Sequence, residues 1–288
     1  MDRNHPVWVR ALRWCLYYLV LVPVLFVILK LGFGLKITGR ENFLRNRGSV
    51  ITCNHIHYLD CTMVVLAAFP KHVTFATLNS NFRMPVVGWL LRQFECVAVG
   101  ENLKETRAFL EDAKRRLKER KSVCLYPEGE LELYSREIRP FQKGAFSLAV
   151  NAEAVIQPMV LHQRPPKGMW RLFKRKPLFT LEVLPALRPE DLPQGLSSQQ
   201  KYTRLMEEAS SRMKEALKNC RFLSESAENL KDPRNIFPFF EKCRKARYYR
   251  LCDSFLKEKM QNPCENEKNK ITNLFINSKN KVVSLYKK

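Results

Sequence analysis

The sequence predicts an α/β fold, a mixed sheet flanked by helices, preceded by an N-terminal membrane-embedded helix. Three observations point to it. Short β-branched runs alternate with helix-like runs from residue 35 to about residue 218. Sixteen residues without a charge, Trp14 to Leu29, stand near the start, with Arg10 and Arg13 before them and Lys30 and Lys36 after. One strand-to-helix turn, Asn54-His55-Ile56-His57-Tyr58-Leu59-Asp60, carries the clearest chemistry in the chain. Three parts follow: an anchor at 1–34, an α/β domain at 35–218, and a basic helical extension with a loosely ordered tail at 219–288.

The apolar run is slightly short, since about 20 apolar residues cross a bilayer core. A tilted span with snorkelling Arg13 and Lys30, a re-entrant or interfacial helix, and a buried core helix all fit it, and Pro23 would kink each of them. A signal peptide does not fit, because Lys30-Leu31-Gly32-Phe33-Gly34 is a poor cleavage site. Leu35 to Gly39 alternates like a strand, and Ser49 to Cys53 is a short apolar β-branched strand. Leu59 to Phe69 reads as a helix, and His72 to Thr77 as a strand. Phe82 to Arg92 is an apolar segment with Pro85 at a plausible first-turn position. Cys96 to Val99 is a short strand. Glu101 to Lys121 places apolar residues at 103, 109, 110, 113 and 117 among charges, the pattern of a solvent-facing amphipathic helix.

Ser122 to Tyr126 is a buried strand that delivers Pro127-Glu128-Gly129, and Lys143-Gly144-Ala145 opens a helix running to Ala152. Strands follow at Ala154 to Leu161 and Leu178 to Leu184. Between them runs a basic excursion, 164–177, whose Trp170 and Phe173 suit either a headgroup surface or a solvated loop. Gln199 to Lys218 is a further amphipathic helix.

A net charge of +22 over 288 residues favours anionic partners, nucleic acid or a membrane face, and the apolar N-terminus decides for the membrane. The nine cysteines form no Cys-x-x-Cys pair, and several sit in apolar runs as small hydrophobes, which argues for a reducing compartment. No His or Cys cluster has metal-ligand spacing, so no metal is expected.

In the turn, His55 sits at a strand's carboxyl end and Asp60 at a helix start, where the carboxylate can point back at an imidazole nitrogen. An imidazole of pKa about 6.5 is a competent base at neutral pH, and the carboxylate would fix its tautomer. The alternative is a pair that only caps the helix. With no enzyme nucleophile assigned, the attacker would be a substrate hydroxyl. Gly129, lacking a Cβ, would let the Glu128 turn approach a ligand, or the turn is simply polar.

Taken together, the Asn54-to-Asp60 block, Tyr126-Pro127-Glu128-Gly129, Phe141-Gln142-Lys143-Gly144 and Val155 to Val160 resemble the glycerolipid acyltransferase family of the lysophosphatidate type, from roughly Leu35 to Leu184. The resemblance implies a membrane-bound enzyme at the cytoplasmic face that moves an acyl chain from coenzyme A or acyl carrier protein to a lysolipid hydroxyl. It needs no cofactor or metal. His55 would be the base and Asp60 its orienting partner, with Asn54, Glu128, Gly129, Arg83 and Lys143 around the substrate. Backbone amides near Glu128-Gly129 would stabilise the oxyanion.

Two departures matter: Glu130-Leu131-Glu132 and Gly100 stand where the family usually has phosphate-binding arginines. Arg83, Arg107, Arg136 or Lys143 would have to substitute if the acceptor is 1-acylglycerol-3-phosphate. Otherwise the acceptor is one without phosphate, such as monoacylglycerol or a glycolipid. A non-catalytic membrane-anchored lipid-binding protein explains the charge without the motifs, and a nucleic-acid binder leaves the apolar N-terminus unexplained.

Overall fold

The structure is a computed structural model that describes residues 6–85, 88, 91–92, 96–99, 103–166 and 177–229. The chain divides into two compact units, residues 1–220 and 221–288. Of the second, only residues 221–229 are described, as the end of a helix. Gly100, Trp170 and Phe173 of the basic excursion, and the extension from residue 230 onward lie outside the described residues, as does part of the segment expected as a helix at 82–92.

A seven-stranded mixed sheet carries the first unit. Its strands are β1 (Lys36–Thr38), β2 (Ser49–Cys53), β3 (Val73–Leu78), β4 (Val97–Val99), β5 (Ser122–Leu125), β6 (Val155–Arg164) and β7 (Leu178–Val183). They lie in the order β1-β7-β6-β2-β5-β3-β4. From β6 to β4 the neighbours are parallel; β7 turns antiparallel to β6, and β1 pairs parallel with β7. A five-residue β2 that is buried throughout is what a strand at the centre of a two-layered cover requires.

Alternation along the strands divides the core. Ile51 and Cys53 of β2, with Met159, Leu161, Phe179 and Leu181, face one side, where α3 (Asp60–Ala68) packs. Val50, Val123 and Ile156 face the other, covered by α4 (Leu103–Lys118), α5 (Gly144–Asn151) and α6 (Ser198–Asn229). The apolar positions 109, 113 and 117 of α4 supply Phe109, Ala113 and Leu117 to this second layer.

The N-terminal run departs from the expected span. Residues 7–32 are helical throughout, but α1 (Val7–Cys15) and α2 (Val22–Val27) alternate with π-helical turns at Leu16–Leu21 and Ile28–Gly32. Pro23, which cannot donate a backbone hydrogen bond, stands at the start of α2 directly after the first π segment. Among the described residues, no helix is long and apolar enough to cross a membrane. Instead one side of the run joins the core through Tyr17, Val22 and Leu29, while Trp8, Leu12, Leu19, Phe26 and Leu31 remain exposed. The hydroxyl of Tyr18 donates to the carbonyl of Pro70 beyond α3, at 3.0 Å.

Candidate active site

β2 and β5 are parallel neighbours, with Thr52 opposite Leu125, so the loops after them leave side by side at the carboxyl edge of the sheet. That register brings together two sequence blocks 73 residues apart: the backbone N–H of His55 donates to Oε2 of Glu128 at 3.2 Å. The second loop folds back over the first, since Glu132 N donates to His55 O at 3.1 Å and Tyr134 N to Ile56 O at 2.9 Å. Gly129 makes the turn possible. Its φ is +81°, and a Cβ there would stand 2.4 Å from Nε2 of Gln142.

His55 Nδ1 lies 2.5 Å from Oδ2 of Asp60, whose side chain is only 2% exposed. The other carboxylate oxygen accepts the Tyr126 hydroxyl at 2.8 Å. The Tyr126 ring also stacks on the imidazole, with centroids 4.1 Å apart and planes 17° from parallel. Burial and the Asp60 charge raise the Tyr126 hydroxyl well above the usual phenol range, so it stays a donor. An ionised Asp60 only accepts, which places the proton on Nδ1 of His55 and leaves Nε2 as the basic nitrogen. His55 is 24% exposed, and among the described residues nothing hydrogen-bonds its Nε2. The arrangement is an imidazole oriented by a buried carboxylate, with its second ring nitrogen open to one side.

His57, two residues on, is built into the packing instead. Its Nδ1 accepts the Leu59 N–H at 3.1 Å, and its ring sits between Phe33, Phe179 and Tyr134 at centroid distances of 5.2, 4.9 and 5.8 Å.

Two residues expected around the substrate are engaged elsewhere. Asn54 is buried and uses both ends of its amide on the Leu161 backbone of β6, each at 2.8 Å. It fixes the exit of β2 rather than offering a free donor. The Glu128 side chain is fully buried and pairs with Arg139, whose guanidinium approaches Oε2 at 2.9 and 3.3 Å and whose backbone N–H reaches Oε1 at 3.2 Å. Arg139 also bonds the Glu130 carbonyl and lies 3.5 Å from the Glu132 carboxylate. Arg83, Arg107, Arg136 and Lys143 are all exposed, Lys143 at the N-terminus of α5.

Sequence reasoning missed Arg139, and it treated Tyr126 only as a member of its block. The available signal for Arg139 was indirect: a buried carboxylate at 128 needs a cation, and one stands eleven residues on in the same loop.

The cysteines nearest the site are poor nucleophiles. Burial raises the Cys53, Cys61 and Cys124 thiols, and Cys96 is pushed up to about 12, so none supplies a thiolate at neutral pH. A cleft of about 1090 Å³ is lined by Arg40, Arg45, Arg47, Arg188, Phe43 and Phe69. It lies at the opposite edge of the sheet, because residues 40–47 precede β2 whereas His55 follows it. We assign it no part in proton transfer.

Residues 34–162 match the sequence model of the family described as Acyltransferase. An uncharacterized acyltransferase of Schizosaccharomyces pombe is 27% identical over 135 residues, 46% of this chain and 48% of that protein. A probable 1-acyl-sn-glycerol-3-phosphate acyltransferase of Mycoplasma pneumoniae is 28% identical over 166 residues, 56% of this chain and 59% of that one. The chain thus spans about half the length of these two relatives. A 1-acyl-sn-glycerol-3-phosphate acyltransferase of Bacillus subtilis is 26% identical over 149 residues, 52% of this chain and 72% of that one. Among solved structures, the 1-acyl-sn-glycerophosphate (LPA) acyltransferase PlsC of Thermotoga maritima shares the fold, with a TM-score of 0.52 and 19% identity over 69% of this chain and 79% of that one.

Proposed function

We propose that the chain is an acyltransferase of the family whose sequence model matches residues 34–162, and that it transfers an acyl chain from a coenzyme A or acyl carrier protein thioester to the hydroxyl of a lysoglycerolipid. The observation that supports this reading is the 2.5 Å contact between His55 Nδ1 and a buried Asp60 whose second oxygen is held by Tyr126. Nε2 of His55 takes the acceptor's hydroxyl proton as its oxygen attacks the thioester carbonyl. The carbon–sulfur bond then breaks, and the thiolate leaves with that proton. Asp60 stabilises the imidazolium between the two transfers, and no covalent acyl-enzyme is required. Asn54, Glu128 and Arg139 act as positioning residues, since they hold the ends of β2 and β5 in register.

The reaction takes place at the surface of an anionic membrane, on its cytoplasmic side. The exposed apolar face of residues 7–32 lies in the interface plane, and the excess of cations draws the domain to anionic headgroups.

For the acceptor, the names of the relatives favour 1-acylglycerol-3-phosphate. One observation favours a second reading, an acceptor without phosphate: Glu130 and Glu132 are exposed beside the site, and the Arg139 guanidinium is already paired with Glu128 and Glu132. Two missing arginine contacts of about 1.5–3 kcal/mol each correspond to a hundredfold or more in selectivity. Turnover on lysophosphatidate and on monoacylglycerol of the same chain length, in the same neutral micelles, separates the two. A hundredfold preference for lysophosphatidate removes the second reading. Transfer to neither acceptor, nor to other lysolipids, overturns the enzyme assignment itself.

A further inference from the structure

On the sheet face away from α3, β6 and β7 pair antiparallel with His162 opposite Thr180 and Val160 opposite Glu182. His162 and Glu182 are therefore diagonal neighbours on one surface. This is the surface covered by α6, where Val160 and Leu184 meet Met213, Ala216 and Leu217. Three residues farther along α6 than Leu217, Cys220 places its Sγ 3.1 Å from Nε2 of His162 and 3.6 Å from Oε2 of Glu182. One ligand atom from each of the three residues lies within 4.8 Å of the other two.

These distances fit a tetrahedral ion. Zinc–sulfur bonds of about 2.3 Å and zinc–nitrogen or zinc–oxygen bonds of about 2.0–2.2 Å, at tetrahedral angles, put neighbouring ligand atoms about 3.5 Å apart. Both sulfur distances already lie close to that value. We propose that His162, Glu182 and Cys220 form a zinc site that clasps α6 to the β6–β7 pair, with a water molecule as the fourth ligand. A thiolate and a carboxylate cancel the charge of the dication, and the imidazole completes the set as a neutral donor.

The surroundings suit those protonation states. Burial and the charge of Arg164 lower His162 to about 4, so its imidazole is neutral and its lone pair is available. Burial raises both Glu182 and Cys220, and the ion would supply the positive charge that the half-buried carboxylate lacks, since Glu182 forms no ion pair among the described residues. The metal-free alternative is a hydrogen-bond relay in which Nε2–H of His162 donates to Sγ and the thiol donates to Oε2 of Glu182, and cobalt absorption separates the two. The sequence conceals the site, because its members stand 20 and 38 residues apart, counting from 162 to 182 and from 182 to 220.

The test uses the full-length, reduced protein carrying Cys15→Ala, so that this exposed thiol does not contribute. Metal is removed by chelation, then Co²⁺ and Zn²⁺ are added back. The site predicts one equivalent of zinc per chain, a thiolate-to-cobalt charge-transfer band with tetrahedral d–d absorption, and a rise in Tm on adding zinc. All three signals should vanish in Cys220→Ala and in His162→Gln, which keeps the thiol and most of the side-chain volume should the cysteine variant fold poorly. The absence of a charge-transfer band in the parent protein overturns the proposal, and so does stoichiometric zinc that survives in His162→Gln. Neither outcome bears on acyl transfer.

Discussion

Replacing Arg139 with alanine isolates the one buried ion pair of the candidate site. Glu128 has no exposed side-chain surface, and its carboxylate accepts four hydrogen bonds: two from the Arg139 guanidinium, one from the Arg139 backbone and one from the His55 backbone. Removing the guanidinium leaves a buried carboxylate with only its two backbone donors. Breaking such a pair costs about 3–5 kcal/mol, and the lower end applies because Arg139 is itself 22% exposed. For a domain of this size, about 3 kcal/mol lowers Tm by about 6–12 °C. His55 hangs on the same carboxylate through its N–H, so activity should fall more than tenfold at temperatures where the variant is still folded. The double variant Glu128→Gln/Arg139→Ala removes the stranded charge and should recover at least half of the lost Tm. Differential scanning calorimetry of wild type, both single variants and the double variant closes the cycle. The reasoning fails if Arg139→Ala melts within about 1 °C of wild type, or if the double variant is no more stable than Arg139→Ala.

Two further perturbations probe different layers of the account. Tyr126→Phe keeps the ring stacked on His55 but deletes the hydroxyl held by Asp60, so kcat should fall about tenfold, for a hydrogen bond to a charged group worth about 1.5 kcal/mol, with KM nearly unchanged. An unaltered kcat would exclude Tyr126 from positioning Asp60. Glutamates at Leu12, Leu19 and Phe26, all exposed, should release the protein from anionic vesicles in a flotation assay while Tm stays within about 2 °C. Continued flotation would show that this face does not bind the membrane. Truncating residues 1–34 is a poorer test, because it also removes Tyr17, Val22 and Leu29 from the core.

Much of the sheet was legible because its strands are short, apolar and separated by strongly patterned helices. Ser49 to Cys53 reads as a buried strand and is one, and Phe109, Ala113 and Leu117 of α4 face the core as their spacing requires, while Leu110 is exposed. Strand order was not legible. Nothing local in Lys36–Thr38 says that it joins the far edge through β7. The N-terminal run misled because hydropathy counts apolar residues without saying what covers them. Leu29 and Leu31 are equally apolar, yet one is in the core and the other exposed. Within the site, the His55–Asp60 pair was legible because both members lie in one turn. The anchoring of Asn54 was not legible because its partner, Leu161, is 107 residues away on a neighbouring strand. The His162–Glu182–Cys220 group escaped for the same reason, whereas Arg139, eleven residues from Glu128 in one loop, escaped because the burial of that carboxylate shows only in the packed site.

The central claim, that His55 is the base for acyl transfer, is tested most directly by comparing His55→Ala with His57→Ala. The measurement is single-turnover transfer of a radiolabelled acyl chain from coenzyme A to a lysolipid, with circular dichroism melts alongside. His55→Ala should lose about 10²–10⁴-fold in rate at temperatures where its melt shows it folded, with Tm lowered by the loss of the Tyr126 stack and of the Asp60 contact. His57→Ala should also lower Tm, because its buried ring packs among Phe33, Phe179 and Tyr134, but should keep most of its rate while folded. Near-wild-type transfer by His55→Ala, with the loss appearing in folded His57→Ala, would contradict the assignment.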